Sequence, residues 1–230
     1  MIDKTLYAHP LFGSSITVIV YTLATAAHRR VRWAHGLLTT CVLLTALLLL
    51  ARIPYASYNV GGQIVSFFLG PATVALAVPF YKHARAIHDR LPQVLTAVAA
   101  GTIASIAGGM ATVALTRGSR PVLLSMFARG VTTPIAIEVS NQLGGLPALT
   151  AALTGISGLI GAVIGPPLLD WMKVRDPAAR GVAMGTAAHG IGTARILLES
   201  ETAGGVSALA MACAGILTAL FAAIAQHWLR

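Results

Sequence analysis

Apolar runs long enough to cross a lipid bilayer follow one another along nearly the whole chain, separated by short breaks in which Lys and Arg collect. A helix needs about 20 residues to cross a hydrocarbon core about 30 Å thick. With 56% hydrophobic and only 10% charged residues, and a mean hydropathy of +0.78, the chain reads as an all-α polytopic membrane protein. Its 230 residues have room for roughly seven to eight segments of that length, in one integral membrane domain over residues 1–230. A net charge of +9 would suggest nucleic acid in a soluble chain. Here the cations lie between apolar runs and set topology instead, so nucleic acid is discounted.

Five runs are uninterrupted, at 11–27, 34–51, 92–115, 146–169 and 204–228, each bounded by charge, proline or glycine. Three more are broken: 60–81 by Gly70-Pro71, 121–143 by Arg129-Gly130 and Thr132-Thr133-Pro134, and 178–198 by glycines and polar residues. Backbone freed by such breaks cannot face hydrocarbon, so Gly70, Pro71, Gly130 and Pro134 are expected as hinges lined by protein or a watery cavity. Gly70-Pro71 and Gly165-Pro166-Pro167, one in each half, suggest two inverted repeats.

Basic loops at 28–32 and 82–90 are expected on the cytoplasmic side, which puts the N-terminus outside. The loop with Lys173, Arg175 and Arg180 falls inside if 121–143 is a re-entrant hairpin. That gives about seven crossings, with Glu199 and Glu201 outside and Arg230 inside. No cleavable signal peptide is expected, since the first ten residues carry Asp3 and, as cation, only Lys4.

Polar side chains concentrate in two of the broken runs, where an ionisable group points by default to a cavity, an ion path or a buried partner. In RGVTTPIAIEVSNQLGG, from Arg129, Pro134 is placed to open a half-helix whose N-terminus, at Thr132 and Thr133, favours an anion such as a carboxylate. Glu138 and Asn141, three apart, share a face suited to a coupling proton, a cation or a substrate hydroxyl. The alternative is an Arg129–Glu138 ion pair that only holds the segment together. On 178–198, Thr186, His189 and Thr193 follow i, i+3, i+7 spacing and are expected to line a pore from one helix face. His189 is suited to carry a proton or meet a carboxylate, or else is a neutral histidine satisfied by a neighbouring helix. Arg195 either clamps a carboxylate or pairs with Glu199 one turn on.

Small residues four apart, at Gly101, Ser105 and Gly109, at Gly161 and Gly165, and at Gly181 and Gly185, predict close helix packing and a homo-oligomer or tight internal association. Cys41 and Cys213 are isolated within apolar runs and offer neither metal spacing nor a disulfide framework. No Walker loop, H-E-x-x-H or G-x-S-x-G is present, so no enzyme chemistry, cofactor or metal is expected.

Four strings, FFLGPATVALAVPFY at 67–81, VTTPIAIEVS at 131–140, GGLPALTA at 144–151 and ARGVAMGTAAHGIGTAR at 179–195, resemble the LrgB/CidB family. The most specific motifs fall in 67–81 and 129–195. The chain departs at Gly130, where the family pattern carries serine. The resemblance implies an inner-membrane protein with a small LrgA/CidA-like membrane partner. It also implies one of two functions. One is transport of small 2-hydroxy or 2-oxo monocarboxylates such as glycolate, glycerate or pyruvate, as in the related part of a plastid glycolate/glycerate translocator. The other is a holin- or antiholin-like role in murein hydrolase control and autolysis. Transport is preferred, because a lesion former has no need of Glu138, Asn141, His189 and Arg195 gathered in two segments.

Overall fold

The computed structural model describes residues 7, 9–30, 36–68, 71, 74–75, 77–82, 88 and 90–229. They form helices, among which Pro10–Ala27, Leu91–Leu115, Pro147–Trp171 and Glu201–His227 are long and apolar enough to cross a membrane. The chain is thus a helical membrane protein. It divides into two compact units, 1–75 and 76–230.

In the first unit, α1 (Pro10–Arg30) packs against α2 (Gly36–Leu50) and α3 (Tyr55–Phe67). A Cβ on Gly61 would lie 2.7 Å from Gly13 Cα, so α1 and α3 meet backbone to backbone. The Thr17 and Tyr58 hydroxyls bond across that contact at 2.8 Å. Gly70 lies outside the described residues, and Pro71 is exposed.

The second unit contains α4 (Ala77–Lys82), α5 (Leu91–Leu115), α6 (Arg120–Phe127), α7 (Thr133–Leu143), α8 (Pro147–Trp171), α9 (Pro177–Leu197) and α10 (Glu201–Leu229). Helices α2, α5 and α8 all end in one way, with Arg52, Arg117 and Lys173 in the left-handed region and the next N–H bonded back to Leu48, Val113 and Leu169. The 6→1 bond satisfies a terminal carbonyl while the cation sits at the negative end of the helix dipole. The basic breaks therefore stop helices.

Residues 120–143 form a hairpin of two half-helices. At 8 and 11 residues, α6 and α7 are about 12 and 17 Å long, too short to cross. Thr150 Oγ1 ties them at the base, bonding Ser140 Oγ at 2.7 Å and the Ser125 carbonyl at 3.2 Å. The turn between them, 128–132, holds Gly130 as expected, and Pro134 sits in the first turn of α7.

Helix α9 is also a hairpin, not the full crossing expected from the sequence. His189 breaks it at φ 40°, ψ −135°. Arg180 in its first half reaches Glu199, beyond its second half, at 2.8 Å. A straight helix would hold those residues about 28 Å apart. Glu199 therefore lies at the same end as Asp170 and Arg180, not opposite them, and Glu201, which opens α10, lies within 3.8 Å of Lys82.

Arg90, before α5, bonds Asp176, before α9, at 2.8 Å, so the α9 hairpin enters at the end where α5 starts and α8 stops. The α6–α7 hairpin enters at the other end. Gln226, near the end of α10, donates to the Gln142 carbonyl at 3.2 Å, which places that part of α10 opposite Lys173 and Arg175. Because α9 turns back, α10 runs away from Lys173 and Arg175; the expected position of Arg230 lies outside the described residues. Pro166 and Pro167 lie within α8, which runs on to Trp171. They are no counterpart of a broken helix.

Ile156, Ile160, Ile164 and Leu168 form an exposed stripe on α8, at four-residue spacing suited to lipid. Inside, one apolar cluster joins α6 and α7 to α10 through Leu124, Phe127, Val139, Leu143 and Ala222. A second joins α5, α9 and α10 through Val94, Val98, Val182, Val206 and Ala210. Polar side chains collect between the two.

Candidate functional site

The two hairpins run toward each other from opposite ends, and their turns meet on α5. A Cβ on Gly101 would lie 2.9 Å from Thr186 Cγ2, and one on Gly109 2.7 Å from Arg129 Nε. Between them Ser105 Oγ lies 2.7 Å from the Cβ position of Gly130, which in turn is 3.8 Å from the Thr186 carbonyl. The small-residue stripe that the sequence marks as packing is thus where both hairpins seat. At Gly130 the serine of the family pattern would press on Ser105, so glycine here keeps the turn close to α5.

A small cavity, with room for about one water molecule, opens at this meeting point. Thr102, Ser105, Thr186 and Thr218 supply its hydroxyls; Ile106, Phe127, Val131 and Ala214 supply its apolar wall. Thr186 Oγ1 donates to the Val182 carbonyl at 2.7 Å and keeps its lone pairs for another donor. Thr102 is only 3% exposed, and its Oγ1 has no partner among the described residues. A buried hydroxyl left unbonded costs about 1–3 kcal/mol, so it is poised for a ligand or water.

Arg129 lies on the other flank of the same turn. Its guanidinium donates to Ser157 Oγ at 3.2 Å, and its Nε is buried without a partner. No carboxylate among the described residues reaches it. The expected alternative pairing with Glu138 is absent, since Glu138 is exposed and accepts instead from Gln142 at 3.1 Å. Thr132 caps α7 without a side-chain bond to its amides. The α7 N-terminus, with Thr132 and Thr133 half-buried beside it, therefore adds a positive dipole end to the guanidinium.

The remaining predicted residues part company. Because α9 breaks at His189, Thr186, His189 and Thr193 do not share one face. Thr186 lines the cavity, whereas His189 turns to α8, its Nε2 3.0 Å from the Thr154 carbonyl and packed on Gly158. Thr193 is fully buried, donating to the His189 carbonyl at 2.8 Å and meeting Ser207 Oγ at 2.9 Å. Arg195 pairs with Glu199 at 2.8 Å, and Asn141 is exposed beside the hairpin base. Sequence reasoning missed Thr102, Ser105 and Thr218, single hydroxyls in long apolar helices; Gly101 and Gly109, flanking Ser105 at helical spacing, were the available signal. Among the described residues no cluster of three His, Cys, Asp or Glu side chains is suited to a metal.

Comparison with known proteins places these features in a family. The chain is 38% identical to the uncharacterized protein YwbG of Bacillus subtilis (strain 168), over 88% of this chain and 91% of that one. It is 31% identical to YxaC of the same organism, over 90% of each. It is 30% identical to the antiholin-like protein LrgB of Bacillus cereus (strain B4264), over 91% of this chain and 92% of that protein. No solved structure matches. The profile of the LrgB-like family matches residues 17–228, covering both hairpins and the cavity between them, and the chain belongs to that family.

Proposed function

We propose that the chain is a carrier of small 2-hydroxy or 2-oxo monocarboxylates in the bacterial inner membrane, with its site where the two hairpins meet. The observation that carries this reading is a half-buried guanidinium, its Nε buried and unpartnered, that no carboxylate among the described residues reaches, beside a half-helix N-terminus and a small hydroxyl-lined cavity at the same turn. An uncompensated cation at membrane depth is costly, and a bound carboxylate supplies the missing charge with bidentate geometry. Thr102, Ser105 and Thr186 then meet the neighbouring hydroxyl or keto oxygen, since a hydroxyl both donates and accepts.

The architecture we infer has about eight membrane segments, two of them re-entrant. Residues 91–143 and 147–197 form inverted repeats, each a 25-residue helix followed by a hairpin. Broken helices at a repeat interface are a recurring basis for alternating access. The basic loop at 173–180 puts the α9 hairpin base at the cytoplasm, with N- and C-termini outside. A homo-oligomer and a small LrgA/CidA-like membrane partner belong to this reading. The second reading, an antiholin-like regulator of murein hydrolases and autolysis, draws on the names of relatives such as the B. cereus protein.

Liposomes holding the purified protein, loaded with labelled pyruvate or glycolate and a large fluorescent dextran, separate the two. Saturable loss of the acid with dextran retained is expected. Loss of both, or of neither, overturns the carrier reading.

A further inference from the structure

The bases of the two hairpins are held by different chemistry. At the α6–α7 base the ties are neutral and buried: Ser125 Oγ accepts from Leu146 N–H at 2.8 Å, and Thr150 bonds Ser140 at 2.7 Å. Ser125, Ser140 and Thr150 are all fully buried. At the α9 base the ties are charged and reach solvent. Arg180 bonds Asp170 at 2.6 Å and Glu199 at 2.8 Å, with 13%, 69% and 29% of these side chains exposed. Arg195 adds a second cation to Glu199 at 2.8 Å. The α9 turn is also the strained one, with His189 at a positive φ that non-glycine residues seldom adopt. Its ring contact to the Thr154 carbonyl crosses to another helix.

We propose that the α9 hairpin is the moving gate of the site and that Arg180 is its latch, while the α6–α7 hairpin is fixed. The inference rests on the carrier reading for what the gate admits. Arg180 joins the C-terminal turn of α8 to both arms of the hairpin, through Asp170 on one side and Glu199 on the other. Released from them, the second arm, 190–197, leaves α10 and uncovers Ser207, which Thr193 now covers at 2.9 Å. The Ser125, Ser140 and Thr150 ties of the other hairpin are buried and neutral, so loosening a charged pair at the α9 base leaves them in place.

The test reads motion without substrate. In a Cys41→Ser, Cys213→Ser background, Ser207→Cys and Ser140→Cys each place one thiol at a fully buried position, the first on α10 under the α9 hairpin and the second inside the α6–α7 hairpin, on α7. Labelling by a small charged methanethiosulfonate is expected to be slow at both. Arg180→Gln or Glu199→Gln should raise the rate at position 207 about tenfold or more and leave position 140 unchanged. Without any latch substitution, raising salt to about 1 M, where screening acts within about 3 Å, should speed labelling at 207 alone, which keeps the test open if a latch variant does not fold. Equal acceleration at both positions, or none at 207, overturns the proposal. Labelling that follows this pattern in a protein without substrate transport would sink the carrier reading and leave the gate standing.

Discussion

A Cβ on Gly109 would stand 2.7 Å from Nε of Arg129, so the guanidinium occupies the space that any side chain on α5 would fill there. Gly109→Ala should therefore displace Arg129 and lower carboxylate uptake much as Arg129→Gln does. A charge-assisted bond of about 1.5–3 kcal/mol corresponds to roughly a 10- to 150-fold loss. Gly108→Ala is the control, since nothing lies within 4 Å of its Cβ position. Uptake by the three variants in liposomes, normalised to folded protein, decides it; normal uptake by Gly109→Ala would detach Arg129 from the site.

Thr102 poses the opposite case, because its buried Oγ1 has no partner to lose. Thr102→Val keeps the shape and removes the unbonded hydroxyl, so it should raise the thermal stability of the detergent-solubilised protein, by about 1 kcal/mol. The same change should weaken binding of the acid. A gain in stability with a raised KM marks a ligand-facing hydroxyl. A loss of stability would mean that Thr102 is bonded through water in the native membrane and serves the fold.

Thr193 and Ser207 form a closed structural pair at 2.9 Å, with no part in the cavity lining. Thr193→Val and Ser207→Ala should each destabilise, and the double variant should show a coupling of about 0.6 kcal/mol, the average for such bonds in membrane helices. Measured unfolding in mixed micelles gives the cycle.

How much of this was legible beforehand depends on where the signal sits. The break at 128–132 was plain because Gly130 and Pro134 both act locally, by backbone freedom and by loss of an N–H. The break at His189 was not, since AAHGIGTAR offers glycines on a helical pattern and only the contact with Thr154 and the seat on Gly158 turn the chain back there. That one reversal sets Glu199 beside Arg180 and Asp170, where an unbroken helix would hold it at the far end. The Arg195–Glu199 pair could be read from spacing alone, being i, i+4. Thr102 and Ser105 could not, because a hydroxyl's role in an apolar helix is set by what lies across from it.

Asp176 gives the stability of the α9 hairpin base a dependence on pH. It caps α9, accepting from Ala179 N–H at 2.9 Å, and bonds Arg90 at 2.8 Å. The Ala179 N–H first, and then Arg90, hold its carboxyl below the usual carboxylate range. A carboxyl lowered in the folded state stabilises fully above its unfolded value, near pH 4, and that contribution fades as pH falls through the lowered folded value. Asp176→Asn keeps a capping oxygen and loses the charge, so near neutral pH it should destabilise by about 0.3–1 kcal/mol. Asp176→Ala loses the cap as well, for about 0.5–2 kcal/mol in total. On acidification the gap between native protein and Asp176→Asn should close, while the gap to Asp176→Ala should persist in part. Thermal unfolding of the three proteins across acid pH measures both gaps; a native-to-Asn difference that does not change with pH would show that Asp176 acts through its hydrogen bond alone.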